Sequence, residues 1–264
     1  MPATYEVQNP TGERSARPRP AALAEITAVP KGEAEKVLTT TNIWIATGLT
    51  LLPIATGLLG LFGGAALAMH LYDFSPALSG VCVVTGVLCA VLSVVVLICY
   101  QQFLPSRFMR SVARGAFSLR SQPLVDADDA DAVFMDIVPR SHWGRTMMEP
   151  ATDVGFWRID RAAEELRFEG DRKRYRIPFD AVTSCEVEEI RMQSDDWGTS
   201  LYYATVLMVD TPNGLREIPL CGRHLEFRIC RMPQRQARAE EFCDRIWSAV
   251  GRPLGSIPPM PPKI

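Results

Sequence analysis

The chain has 264 residues, with 28 Lys and Arg against 30 Asp and Glu, giving a formal net charge of −2. That length holds one or two domains, and the near-neutral balance excludes a nucleic-acid binder that works through a strongly basic surface. With 47% hydrophobic and 22% charged residues, the chain as a whole is not disordered, but its apolar residues are unevenly spread.

Ten of the 20 prolines fall in residues 1–30 and 253–264. Pro-rich, weakly apolar ends bury too little surface to order themselves. The expectation is a disordered N-terminal tail over 1–36 and a Pro-rich disordered tail over 253–264.

Between Lys36 and Asp73 there is no Asp, Glu, Lys or Arg, and none again from Phe74 to Ser106. A helix that spans the hydrocarbon core needs about 20 predominantly apolar residues. Each run exceeds that, which predicts a transmembrane helical hairpin over 37–106 with spans at about 42–69 and 77–103. The first run starts too far into the chain, and is too long, to be a signal peptide. The connector has no Lys or Arg, whereas Lys31 and Lys36 precede the first span and Arg107, Arg110, Arg114 and Arg120 follow the second. Cytoplasmic flanks carry such an excess, so both termini are expected on the cytoplasmic side.

Gly60 and Gly64 in the first span have GxxxG spacing, and Gly86 and Ala90 of the second lie on one small-residue face. Small residues let helix backbones approach in lipid. These four are the expected helix-packing residues, within one chain or between two copies. The spans carry no charge of the kind that marks an ion path.

Residues 107–252 read as a cytoplasmic domain. Short Val-, Ile-, Phe- and Tyr-rich runs separated by turn residues predict strands at 132–138, 154–160, 165–169, 174–178, 183–191, 201–211 and 215–220. Leu166 and Phe168 alternate with Glu165, Arg167 and Glu169, as in strands that bury one side. In 234–250, Ala239, Phe242, Cys243, Ile246, Trp247 and Val250 form one apolar stripe, the mark of an amphipathic helix. The fold class is therefore α+β: a two-helix membrane hairpin, then a bent β-sheet domain closed by a C-terminal amphipathic helix.

Gly155-Phe156-Trp157-Arg158-Ile159-Asp160, Leu166-Arg167-Phe168-Glu169-Gly170, Tyr175-Arg176-Ile177-Pro178 and Asp180-Ala181-Val182-Thr183-Ser184-Cys185-Glu186-Val187 resemble the bacterial pleckstrin-homology-like (PH-like) and GRAM-like domains. Many of those are also tethered by a preceding pair of membrane helices. The match is close over about 35 residues and looser over about 100. It implies a PH-like sheet and a bacterial inner membrane. It assigns no single activity, because members of that superfamily differ in what they bind. The stretch from Ala132 to Pro150, with Trp143-Gly144-Arg145, departs from the pattern.

No cofactor or metal is expected. Cys221, His224 and Cys230 supply three ligands, one short of a structural zinc site. An EF-hand loop counted from Asp126 needs Gly sixth and Glu twelfth but has Asp131 and Ile137. There is no GxSxG elbow, P-loop or dinucleotide fingerprint, so the chain is read as non-enzymatic. The residues most suggestive of binding are Arg172, Lys173, Arg174 and Arg176 on one hairpin, where anionic lipid head groups would attract them. The competing reading sets Arg174 and Arg176 against Glu165 and Glu169 across the strands. Expected partners are the bilayer, an unidentified protein held at the cytoplasmic face, and a second copy through the helices; no nucleic acid is expected. The alternatives to protein recruitment are head-group binding by the basic hairpin and service as an accessory subunit of a membrane complex.

Overall fold

A computed structural model describes residues 22–100, 103–143, 149–194, 198–223, 225 and 232–251. Helix α1 (Thr40–Leu71) and helix α2 (Pro76–Tyr100) form an antiparallel pair, followed by helix α3 (Phe103–Ser118). Strand β1 (Glu25–Ala28) precedes them, and the remaining strands follow: β2 (Val133–Ile137), β3 (Asp153–Asp160), β4 (Glu165–Gly170), β5 (Lys173–Pro178), β6 (Val182–Ser194), β7 (Gly198–Thr211) and β8 (Gly214–Gly222). Helix α4 (Met232–Val250) ends the described chain apart from Gly251.

Both α1 and α2 are long and apolar enough to cross a membrane. Only 11% of the apolar window of α1 and 6% of that of α2 is buried. Thr39 caps α1 by accepting the Asn42 N–H at 3.1 Å, a side-chain cap that satisfies one of the otherwise orphaned first-turn donors. The helix then runs through Pro53.

The eight strands form one antiparallel sheet in the order β1-β5-β4-β3-β2-β8-β7-β6. Two meanders, β2 to β5 and β6 to β8, are joined where β8 returns to pair with β2. Gly155 of β3 and Gly170 of β4 face each other, and a Cβ on Gly155 would fall 2.0 Å from the Glu169 carbonyl oxygen. Only glycine permits that approach. The sheet curls far enough for the Ala24 N–H, next to β1, to donate to the Asp210 carbonyl at the end of β7 at 2.8 Å.

Alternation along the strands explains the two cores. Met135, Ile137, Trp157, Phe168, Tyr175 and Leu207 point inside the curl, where Phe242, Cys243, Ile246 and Trp247 of α4 complete the core. The Trp157 and Phe168 rings stack with centroids 5.0 Å apart. The Trp247 indole N–H donates to the Cys185 carbonyl at 3.1 Å, which fixes α4 on β6. Phe134, Val154 and Phe156 point outward, and Met109, Ala113 and Phe117 of α3 cover them together with Val37. Both faces of β2 and β3 are thus buried.

Two elements depart from the sequence reading. Residues 22–36, assigned to a disordered tail, contain β1, which pairs with β5 from Glu25↔Arg176 to Ala28↔Lys173. Residues after the second span, assigned to a basic flank, form α3, whose buried Ser106, Met109, Ala113 and Phe117 make a helical stripe. The domain therefore draws on residues both before and after the helical pair. The tail at 253–264 lies outside the described residues.

Candidate functional site

The β4–β5 turn is a meeting point of buried charge. Glu169 alternates onto the outer face of β4, which the segment after α3 covers, so its carboxylate is fully buried. A buried carboxylate needs charged or N–H partners. Arg120, also buried, forms an ion pair with it. The Leu124 N–H donates to it at 2.6 Å and the Arg174 Nε at 2.9 Å. Arg120 further donates to the Gly170 carbonyl at 2.8 Å, and its guanidinium carbon lies 4.0 Å from the Phe117 ring centroid. Grouped in the sequence with the topology-setting arginines, Arg120 instead sits inside the domain.

Asp171, at the turn itself, is fully buried and accepts three backbone N–H groups from the strand-to-helix approach: Lys36 at 2.8 Å, Val37 at 3.0 Å and Leu38 at 2.9 Å. Asp153 closes the turn from β3, accepting Arg172 N–H at 3.0 Å, Lys173 N–H at 2.9 Å and Val154 N–H at 2.9 Å. Burial pushes the Asp153 carboxyl up to about 6, against the pull of those N–H groups and with the help of the nearby Asp171 charge. The site couples the start of α1, the end of α3 and three strand ends through one turn.

The four basic hairpin residues divide. Arg172 is exposed with an ion pair to Glu35 at 3.4 Å. Arg174 is held by Glu169 and by Glu33 at 3.3 Å. Lys173 is half-buried and Arg176 exposed. Arg174 does stand opposite Glu169, but Arg176 stands opposite Arg167, and Arg167 is paired with Asp160 and Glu165.

The helix-packing glycines lie in the α1–α2 contact. A Cβ on Gly60 would fall 2.7 Å from Cys89 Cβ; on Gly64, 2.9 Å from the Cys82 carbonyl oxygen; on Gly86, 2.8 Å from the Gly60 carbonyl oxygen. Ala90 is there too, its Cα 3.8 Å from where a Gly57 Cβ would stand. The seam is occupied within one chain.

Sequence reading missed a cleft of about 290 Å³ between α4 and strands β2, β7 and β8. Its floor includes Val133, Leu220 and Phe242, and Arg223, Arg238 and Arg245 line it as well. Arg238 and Arg245 had only the look of a solvated helix face, and nothing local signals the strands beneath them. Arg223 holds Asp136 through both carboxylate oxygens at 2.6 and 2.7 Å, and Glu149 at 2.8 Å. Burial pushes the Asp136 carboxyl up from the usual carboxylate range, against the opposing pull of Arg223. Burial also pushes the Cys221 thiol beside it up to about 12, which favours the protonated thiol.

Among the described residues no group of three or more His, Cys, Asp or Glu is placed to hold a metal ion; His224 and Cys230 lie outside them. Asp126 to Asp131 form a stapled connector: Asp128 pairs with Arg114 at 2.8 Å and Asp129 with Arg158 at 3.0 Å. Trp143 folds back, its indole N–H on the Val138 carbonyl at 2.9 Å, and the His142 Nδ1 is 2.7 Å from the Pro150 carbonyl. Trp197 lies outside the described residues. No family model matches the chain, and comparison with curated proteins and with solved structures finds no match.

Proposed function

We propose that the chain is a membrane-anchored, non-enzymatic module with a PH-like domain that recruits a protein partner at the cytoplasmic face of a bacterial inner membrane. The observation that carries this reading is the β4–β5 junction, where buried Asp171 fastens the approach to α1 onto the sheet. A flexible tether would need no such device. One that fixes the domain against its anchor suits a module that presents a surface in a set orientation and raises a partner's local concentration.

Three further features support parts of the reading. The apolar windows of α1 and α2 are almost wholly exposed, whereas the core helix of a soluble protein is buried. The strand order, two meanders joined through β2 and β8 with α4 against the curl, agrees with the PH-like resemblance. The excess of Lys and Arg beside both outer ends favours a cytoplasmic domain. The cleft beside α4 is the surface offered to a partner, since concave, apolar-floored sites with a few charged groups are the usual binding places.

The test uses the full chain in its native membrane, with a photo-crosslinking residue at Glu241 in the cleft or at exposed Asp180 away from it. A discrete protein adduct from position 241 alone, lost when Arg245→Glu is added, is the expected result. Adducts from both positions alike, or from neither, remove the cleft-recruitment reading.

A further inference from the structure

We propose that Arg107 and Arg110 of α3 form an acidic-phospholipid site that binds the lipid phosphate at the cytoplasmic membrane surface, so that lipid contact lies on α3 and not on the β4–β5 hairpin. The proposal rests on the reading of α1 and α2 as membrane spans.

The placement follows from helix lengths. Helix α1 has 32 residues, about 48 Å at 1.5 Å per residue, against a hydrocarbon core of about 30 Å. Counting back from Leu71, the core takes about 20 residues and ends near Leu52. The rest of α1 therefore stands above it. Ala46, which packs on the cluster containing Met109, is about 9 Å beyond the edge. The first residue of α1, Thr40, is about 18 Å beyond it, and Val37, held by Asp171, lies before that helix start. The hairpin tip shares that height, farther from the hydrocarbon edge than the start of α3. Helix α3 runs from the end of α2 toward the hairpin, because Phe103 follows Tyr100 by three positions and Arg120 reaches the Gly170 carbonyl. Arg107, one turn from its start, is the formal charge nearest the lipid on that strand of chain, and Arg110 lies one turn on.

The charges of α3 are not equivalent. Arg114 is paired with Asp128, and Arg120 is internal. Arg107 lies over the Phe103 ring at 4.6 Å, a contact that brings no counter-charge. Arg110 is half-buried, makes no ion pair among the described residues, and its Nε is buried without a hydrogen-bond partner. Burial and the neighbouring Arg114 and Arg107 charges lower its pKa. Two guanidiniums one helical turn apart, neither in an ion pair among the described residues and with Asp128, itself paired with Arg114, the carboxylate that acts on Arg110, suit a phosphate, which accepts guanidinium donors in a fork.

The experiment takes the full chain in nanodiscs of phosphatidylcholine and phosphatidylglycerol and counts lipids retained on release, by native mass spectrometry. The wild-type chain should retain phosphatidylglycerol in preference. Arg107→Gln with Arg110→Gln should lower that preference about 30-fold, since each basic residue near an anionic surface contributes about a fivefold factor. Lys173→Gln with Arg176→Gln removes the same charge at the hairpin and should change little. Arg107→Lys with Arg110→Lys should keep part of the preference, which guards against misfolding of the glutamine variant. Undiminished preference in the glutamine variant, equal loss in the hairpin variant, or no preference in the wild type overturns the proposal. Release of the chain from membranes by alkaline carbonate would instead remove the span reading on which the proposal rests.

Discussion

The carboxylate of Asp171 accepts the Val37 N–H at 3.0 Å across 134 positions of sequence. With Lys36 and Leu38 on the same side chain, one residue of the β4–β5 turn orders the last backbone before α1. Asp171→Ala leaves these N–H groups without their acceptor, at about 1–3 kcal/mol for each that stays buried. The expected result is at least about 3 kcal/mol lost in denaturant unfolding of the detergent-solubilised full chain, with new protease cleavage between Val29 and Leu38. Unchanged stability and cleavage would mean that the approach to α1 is held elsewhere.

Arg120 and Glu169 make a buried pair, and removing one partner strands the other. Arg120→Ala should cost about 3–5 kcal/mol. Replacing both, as Arg120→Met with Glu169→Leu, should recover most of that loss, because well-packed apolar residues substitute for buried pairs. Thermal unfolding of the single and double variants checks the sign. A double variant no better than Arg120→Ala would show that the remaining contacts of Glu169, with Leu124 and Arg174, carry the junction.

Asp153 gives the junction a pH dependence. Its carboxyl is raised to about 6 in the folded chain, chiefly by burial, from an unfolded value near 3.9. An acid with a raised folded pKa favours the folded state while protonated. Its contribution is fully present below about pH 4 and is lost as pH rises through about 6. The difference amounts to about 2–3 kcal/mol. Unfolding free energy followed from pH 4 to pH 7 should fall with a component that Asp153→Asn removes. An identical pH profile in that variant would contradict the assignment.

The glycine seam predicts a graded response. Gly63 has open space around it, whereas a Cβ on Gly64 would meet backbone of Cys82 and Gly86 at 2.9 and 3.0 Å. Gly63→Ala should be near neutral in thermal unfolding of the solubilised chain. Gly64→Ala should destabilise by about 1–3 kcal/mol, as overpacked contacts do. Equal effects at the two positions would argue against close α1–α2 approach at Gly64.

Much of this architecture was legible in the sequence because its signals are local. The charge-free runs mark α1 and α2, and alternation such as Leu166, Phe168 against Glu165, Arg167 marks β4. The stripe from Ala239 to Val250 marks α4. Strand β1 was not legible, since four residues with one half-buried position carry no pattern and their partner, β5, lies about 150 positions away. The Ser106, Met109, Ala113, Phe117 stripe of α3 was present, but the arginines between them drew the reading toward topology. The junction was hidden for a different reason. Alternation places Glu169 on the solvent side of β4, and only the tertiary passage of Arg120 and Leu124 over that face makes it buried. Arg176 shows the same limit, because its neighbour across the strands depends on register, which set Arg167 there in place of an acid.

The most direct test of the account is the distance between the α1–α2 pair and the domain in the full chain. Spin labels carried by non-natural residues at exposed Leu59 of α1 and exposed Asp180 in the turn after β5 report it by pulsed electron spin resonance in nanodiscs. A single narrow distance distribution, broadened by Asp171→Ala, is the predicted result. A broad distribution in the wild-type chain, unaltered by that substitution, would contradict a fixed junction and with it the presentation of a surface in a set orientation.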